Sequence, residues 1–130
     1  MNSDTIKDAV ICDLSGTLFR TDNTPNPPVV ALIHAMKAQG YVIVFLTGIR
    51  QKHRADVEER LDELGLKPSL DANIVLFMRG ANDTRAPLTF KEQIVREFIY
   101  PSDVLFALDD TPTILRMYAK HGIPTMQVRT

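Results

Sequence analysis

The chain has 130 residues, 45% of them hydrophobic and 24% charged, with a net charge of −1. That is enough for one soluble globular domain and too little for two, and it excludes a global basic field that would hold nucleic acid non-specifically, though a local basic patch remains open. The single Cys12 excludes an intrachain disulfide and a cysteine-rich zinc site, and no apolar run is long enough to cross a bilayer.

Met1-Asn2-Ser3-Asp4 lacks the basic and apolar regions of a signal peptide, so a cytoplasmic protein is expected. Residues 1–7 are polar and are expected to fray; no repeat, linker or low-complexity segment follows, which predicts a single domain over 1–130. The first strand is predicted over 8–13, where Val10-Ile11-Cys12 form a continuous apolar run that ends in Asp13. Gly16 then allows a sharp turn. Residues 19–28 are dense in turn formers and are predicted to make a loop or small flap. A helix over 28–39 has Val29, Leu32, Ile33 and Met36 on one face and Gly40 as its stop.

Tyr41 to Leu46 is the clearest strand, followed by Thr47-Gly48. A helix over 51–64 buries Val57, Leu61 and Leu64 and stops at Gly65. A strand over 73–78 leads into the loop Arg79 to Pro87; a helix over 88–99 is closed by Pro101. A strand over 103–108 ends in Asp109-Asp110; a helix over 112–121 stops at Gly122, and a short strand covers 125–128. The alternation predicts an α/β fold, a three-layer sandwich of a five-stranded parallel Rossmann-like sheet with helices on both faces. The methionines and phenylalanines read as core residues.

In such a sheet the ligand edge lies outside the carboxyl ends of the strands. That edge is predicted to gather Asp13, Ser15 and Thr17, then Thr47 and Gly48, the Arg79–Arg85 loop and Asp109-Asp110, with Lys91 reaching back from the start of its helix. Two acidic strand ends in one crevice repel unless a cation sits between them. Oxygen ligands with open positions suit Mg²⁺. Thr47, the Gly48 amide and Lys91 are donors suited to phosphoryl oxygens, and a carboxylate facing a phosphoryl group is a plausible nucleophile.

The order Asp13-x-x-Gly16-Thr17, Thr47, Lys91, Asp109-Asp110 resembles the four signature motifs of the haloacid dehalogenase-like (HAD) phosphohydrolase superfamily. The chain leaves little room for a cap domain, so the resemblance is to a capless member. Phe77-Met78-Arg79, Asp83-Thr84-Arg85, Lys91, Leu108-Asp109-Asp110 and the tail from Met117 to Val128 are similar to the phosphatase half of phage-type polynucleotide kinase/phosphatase, which removes 3′-phosphates from nucleic acid ends. This resemblance implies Asp13 as a nucleophile that forms an aspartyl-phosphate. It implies Mg²⁺ held by Asp13, the Ser15 backbone carbonyl, Asp109 and neighbouring Asp110. It further implies Thr47 and Lys91 on the phosphoryl group, and Arg79 and Arg85 towards the rest of the substrate.

Two positions depart from the family pattern. Ser15 stands where relatives carry the Asp that protonates the leaving group and then activates water. Arg50 is displaced by one residue from the arginine of the usual Ser-Gly-Arg, here Thr47-Gly48-Ile49-Arg50. Two functional readings follow. One is a phosphomonoester hydrolase acting on a nucleic acid 3′-phosphate or a nucleotide. The other, motivated by Ser15, is a catalytically weakened phosphate- or nucleotide-binding module. Several residues also have simpler readings: Asp13 as a strand-end turn residue, Thr47 as a strand residue, Lys91 as a solvated helix lysine, Asp109-Asp110 as a helix cap, Arg79 and Arg85 as solvated loop charges, the basic run Arg50 to Arg54 as a solvated face, and His34 and His121 as structural or exposed.

Overall fold

The computed structural model describes residues 6, 8–68 and 71–129. Among them, five strands and four α-helices alternate: β1 (Ala9–Cys12), α1 (Pro27–Ala38), β2 (Val42–Arg50), α2 (Arg54–Glu63), β3 (Ile74–Arg79), α3 (Pro87–Phe98), β4 (Val104–Asp109), α4 (Pro112–Lys120) and β5 (Thr125–Gln127). The sheet is parallel throughout, in the order β3-β2-β1-β4-β5. This is the predicted α/β architecture.

Strand alternation divides the core. Val10 and Cys12 of β1, with Ile43 and Phe45 of β2, pack on one face against Val29 and Ile33 of α1 and Val57 and Leu61 of α2. Ala9 and Ile11, with Val44 and Leu46, pack on the other face against Phe90 and Ile94 of α3 and Ile114 and Tyr118 of α4. Two helices therefore cover each face, and the central strands read as continuous apolar runs because both sides are buried. The chain moves outward from β1 through β2 to β3, then returns across the sheet to β4 on the other side of β1. The connections leaving β1 and β4 thus diverge to opposite faces, and the crevice between them is the topological switch point.

Several predicted bounds shift. β2 runs on through Thr47 and Gly48 to Arg50, so the predicted strand end at Leu46 is wrong: pairing with β3 continues through Thr47↔Met78 and resumes, after an irregularity, at Arg50↔Arg79. Gln51–His53 form a 3-10 turn, and α2 begins only at Arg54. Ile6, expected to fray, pairs with the end of α3: its N–H donates to Phe98 O at 2.7 Å and its carbonyl accepts from Tyr100 N at 2.9 Å. The other residues of the predicted fraying segment lie outside the described residues. Met126 is not core. It is 46% exposed on β5, the outermost strand, where all three residues are exposed.

The predicted flap is a small hairpin. Phe19 bridges Pro25, and Arg20 N–H donates to Thr24 O at 2.7 Å. It is fastened to α2, whose Arg60 guanidinium lies 4.1 Å from the Phe19 ring centre. Its base is closed by buried Asn26, whose side-chain amide donates to Thr17 O at 3.1 Å while its own carbonyl accepts the first N–H groups of α1. Replacing Asn26 by Ala leaves the Thr17 carbonyl without that donor. Asn26→Ala is expected to cost roughly 1–2 kcal/mol. The check is urea unfolding, in which the midpoint falls and the slope is unchanged.

Candidate active site

Asp13 follows the last residue of β1, and its N–H is fixed to Leu108 O of β4 at 3.0 Å. The chain then turns at once: Thr17 and Phe19 N–H both donate to Leu14 O, at 3.1 and 2.9 Å. Gly16 sits at φ +80° inside this turn, and a Cβ there would meet Asp110 Oδ2 at 2.3 Å. Only glycine permits both the backbone and the approach of Asp110. Asp109 ends β4, and its carboxylate is closed off from solvent.

Lys91, from the first turns of α3, joins the two strand ends. Its ammonium donates to Asp13 Oδ1 at 3.1 Å and to Asp109 Oδ2 at 2.9 Å, and its side chain is buried. The remaining carboxylate oxygens are also engaged. Thr17 Oγ1 lies 3.5 Å from Asp13 Oδ2, and Thr111 N–H donates to Asp109 Oδ1 at 3.0 Å. Asp110 Oδ1 accepts from the Thr111 hydroxyl at 3.3 Å. The N-cap of α4 is Thr111, whose own side chain makes no cap bond; Asp109 Oδ1 accepts the N–H of that residue, so Asp109 serves the start of α4 while it also holds Lys91.

Charge does not balance here. Asp13, Asp109 and Asp110 can each present an oxygen within 4.8 Å of the others, against one ammonium. Burial, only partly opposed by Lys91 and reinforced by Asp109, raises Asp13 from 3.8 to about 7. Burial also works to lower Lys91, but Asp13 and Asp109 outweigh it and raise the lysine above its ordinary value. A clustered, oxygen-only, electron-rich donor set of this kind fits a hard divalent cation such as Mg²⁺.

The other predicted residues divide into two groups. Thr47 is buried on β2, the strand beside β1, and its Oγ1 accepts from Ile49 N–H at 3.2 Å, which leaves its hydroxyl proton free to be donated. Ser15 is exposed at the mouth of the β1 turn. Gly48 packs against Pro87, whose Cβ would lie 3.0 Å from an added Cβ. Beyond it the arginines act first on the loop: Arg79 donates to the Gly48 carbonyl at 3.0 Å and to Arg85 O. Arg85 forms a bidentate pair with Asp83 and also contacts Gln93. Arg50 donates to Asp83 O at 3.3 Å, and its buried Nε has no partner among the described residues.

The basic run is not simply solvated, since Arg54 donates to Leu76 O at 3.1 Å and Gln51 to Met78 O at 3.2 Å. His34 contacts Leu64 O at 2.7 Å and His121 contacts Glu92 at 2.8 Å, both away from the site. Sequence reasoning placed Thr17 at the edge and Asp83 in the loop but foresaw neither the approach of Thr17 Oγ1 to Asp13 nor the pairing of Asp83 with Arg85. The signals for them were a hydroxyl four residues after Asp13 and an acid two residues before Arg85.

A family model described as the polynucleotide kinase PNKP phosphatase domain matches residues 7–130. Among solved structures, one titled as the Pnkp1/Rnl/Hen1 RNA repair complex matches with TM-score 0.78 at 26% identity, covering 98% of this chain and 45% of the matched one. A second structure of the Pnkp1/Rnl/Hen1 complex gives TM-score 0.76 at 27% identity, covering 98% and 47%. The chain thus spans less than half the length of these two relatives. An uncharacterized protein from Corynebacterium glutamicum shares the fold at TM-score 0.60 and 15% identity, over 95% of this chain and 86% of that one. The search of curated proteins gave no match. No helix among the described residues is long and apolar enough to cross a membrane.

The charge imbalance predicts a pH signature in the metal-free protein. A carboxyl raised from 3.8 to about 7 on folding is protonated in the native state over a range where the unfolded chain has already ionised. Its contribution to stability is fully present below about pH 4 and is lost as pH rises through about 7. With EDTA present, the Tm of the wild type relative to Asp13→Asn is therefore expected to fall between pH 4 and 7.5. Parallel curves for the two proteins would refute it.

Proposed function

Because the chain belongs to the family of polynucleotide kinase PNKP phosphatase domains, we propose that it is an Mg²⁺-dependent phosphomonoester hydrolase working through an aspartyl-phosphate on Asp13. The observation that carries this reading is the buried carboxylate of Asp13 at a strand end, oriented by one lysine and flanked by two further acids. Asp13, Asp109 and Asp110 would hold a divalent cation, which when bound would offset charge on the phosphoryl oxygens and favour ionised Asp13. The Ser15 carbonyl is a further candidate ligand.

In the first step an oxygen of Asp13 bonds to phosphorus as the bond to the leaving-group oxygen breaks. Lys91 offsets the charge that develops on the phosphoryl oxygens, and Thr47 donates its free hydroxyl proton to one of them. In the second step water attacks the phosphorus and Asp13 is released. The proposed substrate is a phosphorylated nucleic acid end, a 3′-phosphate or a nucleotide. Support comes from the RNA repair assemblies in which the similar chains occur and from the guanidiniums of Arg50, Arg79 and Arg85 around the β2 and β3 ends.

Ser15 favours a second reading, a phosphate-binding module that turns over slowly. An alkoxide leaving group needs a proton, and a serine hydroxyl is too weak an acid to give one near neutral pH. Activated phosphates, such as acyl or nitrophenyl phosphates, leave without that help. Ser15→Asp is therefore expected to raise kcat/KM for a 3′-nucleotide by roughly 100-fold or more, and to raise it less for a nitrophenyl phosphate, while Asp13→Asn abolishes both activities. Turnover of the 3′-nucleotide at ordinary enzyme rates by the wild type, unchanged in Ser15→Asp, would mean that another group supplies the proton and would remove the binding-module reading.

The nucleic acid part of the proposal has a separate test. In an Asp13→Asn background, binding of a 3′-phosphorylated oligonucleotide is expected to weaken as salt is added. Arg50→Gln should reduce the logarithmic salt slope by about one, whereas Arg85→Gln should reduce it less because Asp83 already neutralises that charge. A mononucleotide that binds as tightly, with the same salt dependence, would point to a small-molecule substrate.

A further inference from the structure

The sheet is not covered evenly. α1 joins β1 to β2 and α2 joins β2 to β3, so the helices of that face lie over the β1-β2-β3 side. β4 and β5 have α4 against them, on the opposite face. On the α1/α2 face the cover runs out towards the β5 edge. Phe106 of β4 and Val128, just after β5, are only partly buried against that core. Met126 is the register partner of Leu108, a member of the same core, so it points to the same side, and it is 46% exposed. Leu105, next to Phe106, is also exposed. Parallel sheets bury both faces, so a bare apolar strip at the rim is a surface fit to be covered.

The backbone of β5 is open on the same rim. Ala107 N–H donates to Pro124 O at 2.8 Å and Val128 N–H donates to Asp109 O at 3.0 Å, so alternate residues from 124 to 128 face β4. Thr125 and Gln127 therefore turn their N–H and C=O groups to the outside, and both are exposed. No residue from Gly122 to Val128 is charged, so the charges that commonly block edge pairing are missing there.

A second copy of the chain answers both features. In an antiparallel pair about a two-fold axis at Met126, Thr125 of each copy lies opposite Gln127 of the other, and the two residues exchange both N–H···O bonds. Met126 then faces the other Met126 in the closer kind of cross-strand pair, on the thinly covered face. A net charge of −1 per chain gives little repulsion between copies. A helix laid on the strip would cover the apolar side chains but leave the Thr125 and Gln127 backbone groups unpaired by protein.

We propose that the β5 edge is a homodimer interface, in which two copies pair antiparallel through Thr125–Gln127, continue one sheet into the other and bring their Met126 side chains together at the axis. This inference does not depend on the phosphohydrolase reading.

Sedimentation equilibrium of the wild type is expected to show a mass that rises with concentration towards twice the 14.6 kDa of one chain. Met126→Lys sets like charges opposite each other, and Gln127→Pro removes an outward N–H while remaining tolerable on an edge strand. Each should weaken association by about 10-fold or more, with the Tm of the dilute monomer close to that of the wild type, whereas Met126→Leu should still dimerise. Met126→Cys reads the register. Cys12 is buried, so the new thiol is the accessible one. Two such residues stand with Cα atoms about 4.5 Å apart across the axis, within disulfide reach, and mild oxidation should link them. Leu105→Cys, away from the axis, should link far less. A wild type that is monomeric at every concentration up to about 1 mM overturns the proposal. So does a dimer that survives both Met126→Lys and Gln127→Pro, or a Met126→Cys protein that cross-links no faster than Leu105→Cys.

Discussion

One buried ammonium between two carboxylates organises this protein. Lys91 is 78 residues from Asp13 and 18 from Asp109, and it holds both within hydrogen-bond distance in a largely buried setting. Such a group is a poor source of stability, since desolvation of three charges offsets much of their attraction. Its presence fits the proposed site: two anions held at fixed separation by one cation. The fold supplies the position. β1 and β4 are neighbours at the point where the chain reverses its direction across the sheet, so their ends open into one crevice, and α3 covers that face and delivers the lysine from its first turns.

The same topology divides the site by charge. Acidic groups collect at the β1 and β4 ends, and guanidiniums collect at the β2 and β3 ends. Arg50 and Arg79 are paired residues on adjacent strands, placed side by side where the ladder between β2 and β3 becomes irregular. Carbonyls freed by that irregularity and by the loop after β3 accept their protons. The arginines thus have two functions open to them at once. They staple the end of the sheet, and they leave positive charge on the strand end that carries Thr47. A substrate with one phosphate over the acids and a longer anionic chain over β2 and β3 would match this polarity. A small neutral leaving group would use only half of it.

Ser15 marks where the proposed site departs from a fully equipped one. At the exposed turn after β1, a hydroxyl stands where the proposed proton transfer calls for an acid, and this bears on which leaving groups could depart.

The amino-acid sequence by itself determined the element order, the parallel α/β class and the approximate strand ends, because apolar runs, turn residues and helix stops are local signals. Gly40, Gly65 and Gly122 follow their helices as expected. It also marked Asp13 and Asp109 as residues of one edge, because a parallel sheet sends all its carboxyl ends the same way; Lys91, on a helix, was tied to that edge by the resemblance to the family's motif order. Bounds shifted by a residue or more where long-range pairing outweighed local preference, as in β2, which β3 extends to Arg50. Only the tertiary structure decided which donors each carboxylate oxygen has, that Arg85 is neutralised by Asp83, that Met126 lies on an exposed edge, and that the Tyr118 hydroxyl has no partner among the described residues. Those facts depend on distances between residues far apart in the chain and on how completely water is excluded, and neither is set until the layers have packed.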